Sequence, residues 1–183
     1  MLDQLTAFRL ARREFQQRLD GVGDEQWTDP TPCSEWDVSA LVQHLIDGDT
    51  FAALLLHGSS LHDAIEALVS ETDPRDFGTE ADALDEAFAG AEPGLTVDHP
   101  VGVIPLEDFL EFRSADYAGH AWDLARATGQ PEALDTRLIE HLWARSEARV
   151  DMFATSEHFG GGTGQTGLAS LQDRWLDRIG RRP

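Results

Sequence analysis

The chain contains no lysine: all fourteen of its basic residues are arginine, set against 34 acidic residues for a formal charge of −20. Such a surface repels nucleic acid and anionic lipid, so neither is expected as a partner. The excess acid is read as a device for solubility and salt tolerance, because net charge says little about fold or chemistry. Cysteine is nearly absent too. Cys33 stands alone, which excludes an internal disulfide and suits a reducing cytoplasm, the location expected here. No apolar run approaches the roughly 20 residues needed to span a bilayer. The opening MLDQLTAFRLARREF is amphipathic and lacks an apolar h-region, so export is not expected. No G-x-S-x-G nucleophile motif occurs, and Gly160 to Gly164 lacks the lysine and preceding strand of a phosphate loop. Strand character is confined to PGLTVDHPVGVIP, too little for a sheet.

What is present is helical. With 183 residues, 41% hydrophobic and 26% charged, the chain can bury the core of one globular domain. Leu2, Leu5, Phe8, Ala11, Phe15 and Leu19 step by three and four, predicting an amphipathic helix over 2–20 that Gly21 and Gly23 end. A proline-bearing loop follows, and Asp37 is placed to cap a second helix running to about Gly58. Ser60 with Asp63 reads as a capping box for a short helix carrying Leu61, Ile65 and Leu68, and a further short helix surrounds Leu84 and Phe88. Pro105, then Glu107 and Asp108, opens a long helix to about Ala127, stopped by Gly129 and Pro131. Asp135 caps a last long helix with Leu138, Leu142, Val150 and Phe153, and Ser170 with Asp173 starts a terminal turn. The expected architecture is all-α, a four-helix bundle with short extra helices. Residues 1–158 would form the bundle, and 159–183 a glycine-rich connector and a short helix packed on the same domain.

Chemistry enters at three inward positions. On the second helix, 41, 44, 48, 51 and 55 read Leu, His, Gly, Phe, Leu, which puts His44 on an inward stripe beside a glycine that leaves space. On the long later helix, 109, 113, 116, 120, 124 and 127 read Phe, Arg, Asp, His, Leu, Ala. Asp116 and His120 therefore leave one face at neighbouring heights. Two imidazoles and a carboxylate from facing helices make a three-ligand divalent metal set with coordination positions left for water or substrate. The pattern alone is better served by an inward ion pair or a hydrogen-bonded network.

Arg113, one turn before Asp116, reads either as an anchor for an anionic substrate or as a salt bridge to Asp116, with the bridge preferred. Asp123, three residues after His120, could orient the imidazole or pair with Arg126 in solvent. Cys33 reads as a small residue bracing its loop rather than a nucleophile or ligand. Trp36 and Trp122 are expected to pack the bundle. His57 and His62 are expected in solvent, His99 is a candidate for a pocket mouth, and His141 and His158 have no acidic partner at ligand spacing. Tyr117 projects about 100° away from Asp116.

The segments TPCSEWDVSALVQHL, SADYAGHAWDLARATGQP and QDRWLDRIGRRP, in this order along nearly the whole chain, resemble small actinobacterial metal-binding proteins related to the N-terminal domain of mycothiol-dependent maleylpyruvate isomerase, within the DinB-like superfamily. HAWDLARATGQ is the most specific of these runs. The resemblance implies an up-down-down-up bundle and a metal, usually zinc, held by residues that match His44, Asp116 and His120. Two departures stand out: Asp116 replaces the family's longer Glu, and a short helical tail stands where the isomerase has a further domain that contributes to its substrate site. The resemblance thus implies the fold and the metal site but not the isomerase reaction.

The function expected is that of a metal-dependent thiol transferase or isomerase, the metal lowering the pKa of a bound thiol or water. Mycothiol is implied as the thiol by the resemblance alone, with a small electrophile as second substrate. Nickel or iron would also suit the ligands. Two alternatives stay open: a non-catalytic metal-binding or interaction module, and an iron enzyme of the two-His, one-carboxylate kind. Monomer and homodimer are both compatible with the sequence.

Overall fold

A computed structural model of the chain describes residues 2–68, 73–92, 94–147, 167 and 170–183. Val150, Phe153, His158 and the glycines from 160 to 164 lie outside them. Helix α1 (Gln4–Leu19) starts where the Asp3 carboxylate accepts from the Thr6 amide at 2.9 Å, and it buries Ala7, Phe8, Ala11 and Phe15 along one stripe. Helix α2 (Val38–Leu56) is capped as the sequence predicts, Asp37 accepting from the Ala40 amide at 2.8 Å. These caps satisfy amide donors that the first turn of a helix leaves without partners.

Helix α3 (Leu61–Glu66) is short, and its hydroxyl cap on Ser60 accepts from the Asp63 amide. It differs from the expectation in what it buries: Ala64 faces inward, whereas Ile65 is half exposed. Helix α4 (Gly78–Gly90) inserts Leu84 and Phe88 into the core and packs on α2. Strands β1 (Thr96–His99) and β2 (Gly102–Pro105) pair antiparallel, Val97 opposite Ile104 and His99 opposite Gly102. Gly102 takes φ 116°, a conformation suited to glycine at the end of so tight a turn. Val97 and Ile104 point inward, while Val101 and Val103 stay outside.

Helix α5 (Leu106–Thr128) is the axis of the molecule: α1 packs along it, and α2 and α6 (Thr136–Glu147) also contact it. Pro105 stands just outside α5 as its extended N-cap, one position earlier than the sequence suggests, because it also closes β2. Gly129 ends the helix in the left-handed region at φ 71°. Helix α7 (Leu171–Arg178) opens with a complete Ser170–Asp173 capping box and packs against α6, burying Trp175 and Leu176. Among the described residues no helix is long and apolar enough to cross a membrane.

Burial on α5 extends around most of its circumference and takes in Glu111, Arg113, His120 and Asp123. Charge inside a bundle is tolerated only when it is paired. Arg145 of α6 meets Glu111 at 2.8 Å, and the other three residues build the site.

Candidate metal centre

The helical phase that turns His44 inward on α2 and Asp116 and His120 inward on α5 brings the three together. Asp116 Oδ1 lies 3.4 Å from His44 Nε2 and 3.2 Å from His120 Nε2. The two imidazole rings meet edge to face with centroids 5.0 Å apart. One donor atom from each residue falls within 4.8 Å of the others. His120 is buried, whereas the His44 side chain is 36% exposed and forms the open edge of the group.

Each α5 residue is held from behind. Arg113 donates through Nη1 to Asp116 Oδ2 at 2.6 Å and through Nη2 to Asp49 Oδ1 at 2.5 Å, and the Tyr117 hydroxyl donates to the other Asp49 oxygen. Arg113 is therefore the salt-bridge residue that the sequence favours. Gly48 makes room for it, since a Cβ there would sit 2.5 Å from Nη1. On the other side, His120 Nδ1 lies 3.0 Å from Asp123 Oδ2, and Arg181 donates to that same oxygen at 2.7 Å. Asp123 thus orients the imidazole, and Arg126 pairs with Glu132 instead. A carboxylate on Nδ1 fixes that nitrogen as the N–H and leaves Nε2 facing Asp116.

The electrostatics follow from this crowding. Burial works against charge on His120, but hydrogen bonds to Asp116, Asp123 and Cys33 outweigh it and hold its pKa well above the ordinary imidazole value. Burial also opposes the Asp116 carboxylate, yet His44 and His120 hold its pKa well below the usual range. Burial raises the Asp49 pKa, with Arg113 and the Tyr117 hydroxyl working in the opposite direction.

Cys33, His120 and Asp123 form a second group of potential ligands within the same 4.8 Å. Cys33 Sγ donates to Asp123 Oδ2 at 3.5 Å, and Arg181 Nη2 stands 3.9 Å from the sulfur and 3.5 Å from His120 Nδ1. A guanidinium already occupies the centre of that group, so it takes a cation only if Arg181 leaves.

Beside these polar residues opens a cavity of about 560 Å³, within the usual range for small-molecule sites. Trp36 lines it and lies over both imidazoles, 4.7 Å from the His44 ring and 5.7 Å from the His120 ring. It is half-buried, packed against the edge of the core as well as lining the site, whereas Trp122 is a core residue. His99 does line the cavity. His57 and His62 are exposed, and His141 is buried against Gln4.

Three residues of the site escape a reading of the sequence: Trp36, Asp49 and Arg181. Asp49 left a trace, because it continues the buried stripe of Leu41, Leu45 and Ala52. Arg181 left none. It is one of several arginines near the end of the chain, and only the docking of α7 brings it to Asp123, 58 positions away.

Residues 8–125 match the family described as the mycothiol maleylpyruvate isomerase N-terminal domain. Two uncharacterized Mycobacterium tuberculosis proteins, Rv0738 and MT0763, are each 33% identical over 156 residues, covering 81% of this chain and 80% of the relative. The crystal structure of mycothiol-dependent maleylpyruvate isomerase aligns with TM-score 0.60 at 19% identity, over 78% of this chain and 67% of that one. A histidine-to-alanine mutant of the isomerase aligns with TM-score 0.65 at 20% identity, over 87% and 72% of the two chains. At these identities the structural likeness is one of fold, a mostly helical DinB-like bundle.

Proposed function

The chain belongs to the mycothiol maleylpyruvate isomerase N-terminal domain family, and on that footing we propose that it is a metal-dependent thiol transferase, with His44, Asp116 and His120 as the ligands of a divalent ion, zinc as that ion, and mycothiol as the thiol. The observation that carries the reading is the convergence of two imidazole Nε2 atoms and one carboxylate oxygen beside an open cavity.

The donor set fits such an ion. Coordination at roughly 2.0–2.2 Å spaces neighbouring donors roughly 3.0–3.6 Å apart, and the two distances to Asp116 Oδ1 are 3.2 and 3.4 Å. When bound, the ion would supply Lewis-acid stabilisation of a thiolate near neutral pH. The chain's own residues do the rest. Arg113 fixes Asp116 so that one oxygen stays turned toward the imidazoles. Asp123, itself held by Arg181, holds the His120 proton on Nδ1 and keeps Nε2 directed into the site. Trp36 lies over both rings. The cavity beside His44 is where a thiol and an electrophile can approach.

Protein purified without a histidine tag should carry about one metal ion per chain by elemental analysis. His44→Ala and His120→Ala should each lose most of it. With mycothiol and a bimane electrophile, the loaded protein should turn over faster than the metal-stripped control. Absence of stoichiometric metal ends the metal reading. Stoichiometric metal with no thiol transfer would make the protein a non-catalytic metal-binding module instead.

A further inference from the structure

The cavity has two unlike ends, and its chemistry bears on the partner the thiol meets. At one end stand His44, Asp116 and His120. The far wall is aromatic and comes from three separate elements: Phe51 of α2, His99 of the hairpin, and Phe109 and Phe112 of α5. The His99 ring lies nearly parallel to Phe112 with centroids 5.6 Å apart, and it meets Phe51 at 6.3 Å and Phe109 at 5.7 Å near edge-on. Such clusters present flat apolar faces and ring edges to a guest. The mouth is apolar as well, for Val101 is 55% exposed and Ile65 50% exposed, and both line the cavity.

The cations tell the same story. Two arginines reach the cavity, Arg113 and Arg181, and each is engaged from within: Arg113 by Asp49 and Asp116, Arg181 by Asp123. An anionic guest would have to break one of these buried pairs, at the cost of leaving a carboxylate uncompensated. Asp47, also in the wall, adds further negative charge.

We infer that the second substrate of this site is an uncharged aromatic or similarly flat apolar molecule and not a diacid; naming it a substrate rests on the thiol-transfer reading, while its binding does not. The test uses metal-loaded protein with saturating mycothiol, so that the open metal position is filled, and two probes of equal ring size, naphthol and naphthalene dicarboxylate, titrated by calorimetry. Naphthol should bind at least about tenfold more tightly. Val101→Asp, at an exposed position that the fold does not depend on, should weaken naphthol binding about fivefold. Phe112→Ala should weaken it further with metal content unchanged. Equal or tighter binding of the dicarboxylate, or naphthol affinity indifferent to both substitutions, overturns the inference. Naphthol binding without any bimane turnover supports the aromatic wall and counts against thiol transfer alone. Turnover confined to charged diacid electrophiles overturns the aromatic preference and leaves thiol transfer standing.

Discussion

Replacing Gly48 by alanine should damage the site without touching any of the three proposed ligands. The new Cβ would lie 2.5 Å from Arg113 Nη1 and 3.0 Å from Cζ, whereas ordinary contact needs nearly an ångström more. The tip of an arginine usually swings aside cheaply. Here it cannot, because the guanidinium is buried and its two terminal nitrogens are bonded to Asp116 at 2.6 Å and Asp49 at 2.5 Å. Overpacking costs about 1–3 kcal/mol, and a weakened charge-assisted hydrogen bond about 1.5–3 kcal/mol. Better helix propensity returns about 1 kcal/mol. The net is a loss of about 1.5–5 kcal/mol, or roughly 3–20 °C in melting temperature for a chain of this size. Asp116 loses its anchor at the same time, so metal affinity should fall about tenfold. Gly90→Ala is the control: its Cβ meets no atom within 4 Å, and it should melt at or above the parent temperature. The assays are a thermal melt followed by circular dichroism and a zinc competition titration. If Gly48→Ala melts within about 1 °C of the parent and binds zinc equally well, the Arg113 clamp has no energetic role and the reasoning is wrong.

Further outcomes follow from the same contacts. Asp123→Asn keeps the shape beside His120 Nδ1 but removes the charge, and zinc affinity by competition should fall about 10–100-fold; an unchanged constant would show that the imidazole needs no orienting partner. Metal uptake should release a proton, because His120 without metal is held protonated by Asp116 and Asp123 despite its burial. Below that raised pKa the apparent affinity should weaken about tenfold per pH unit of acidification, and titrations that show no dependence between about pH 6 and 8 would contradict it. Asp135, whose pKa is drawn from 3.8 down to about 2 chiefly by its hydrogen bond to Arg137, contributes stability that is full above about pH 4 and is lost as pH falls toward about 2. Allowing for solvent screening, Asp135→Ala should cost about 1 kcal/mol at neutral pH in urea unfolding, and less below about pH 2, where only the hydrogen bond from the Arg137 amide remains to be lost.

How much of this was legible depended on how local its cause was. Helix starts and stops rest on contacts three or four residues apart, so Asp37, Gly129 and Ser170 marked real ends. The inward phase of His44, Asp116 and His120 was legible for the same reason. Their mutual distances were not, since these depend on how α2 settles against α5. Ile65 shows the limit of periodicity on a helix of one and a half turns: the neighbouring Ala64 faces the core, and Ile65 is left at the cavity mouth. Arg181 shows the limit from another direction. Its partner lies on α5, and nothing within several residues of it distinguishes it from Arg182 until α7 docks.

The two arginine clamps also set the charge the site can accept. Asp49, Asp116 and Asp123 against Arg113 and Arg181 leave one negative charge around the two imidazoles. Among these clamped groups, Asp47 of the wall aside, a divalent ion would turn that into one positive charge, and a single thiolate would bring them to neutrality. That balance favours one anionic guest in a partly buried setting, where uncompensated charge is costly. A second anion, arriving as the electrophile, would find no charge left to answer it and a wall of Phe51, Phe109 and Phe112 in place of solvent. Thiol activation and an apolar partner thus have one electrostatic cause: the cations able to bind a diacid are already engaged, Arg113 in holding Asp116 and Arg181 in holding the Asp123 that orients His120.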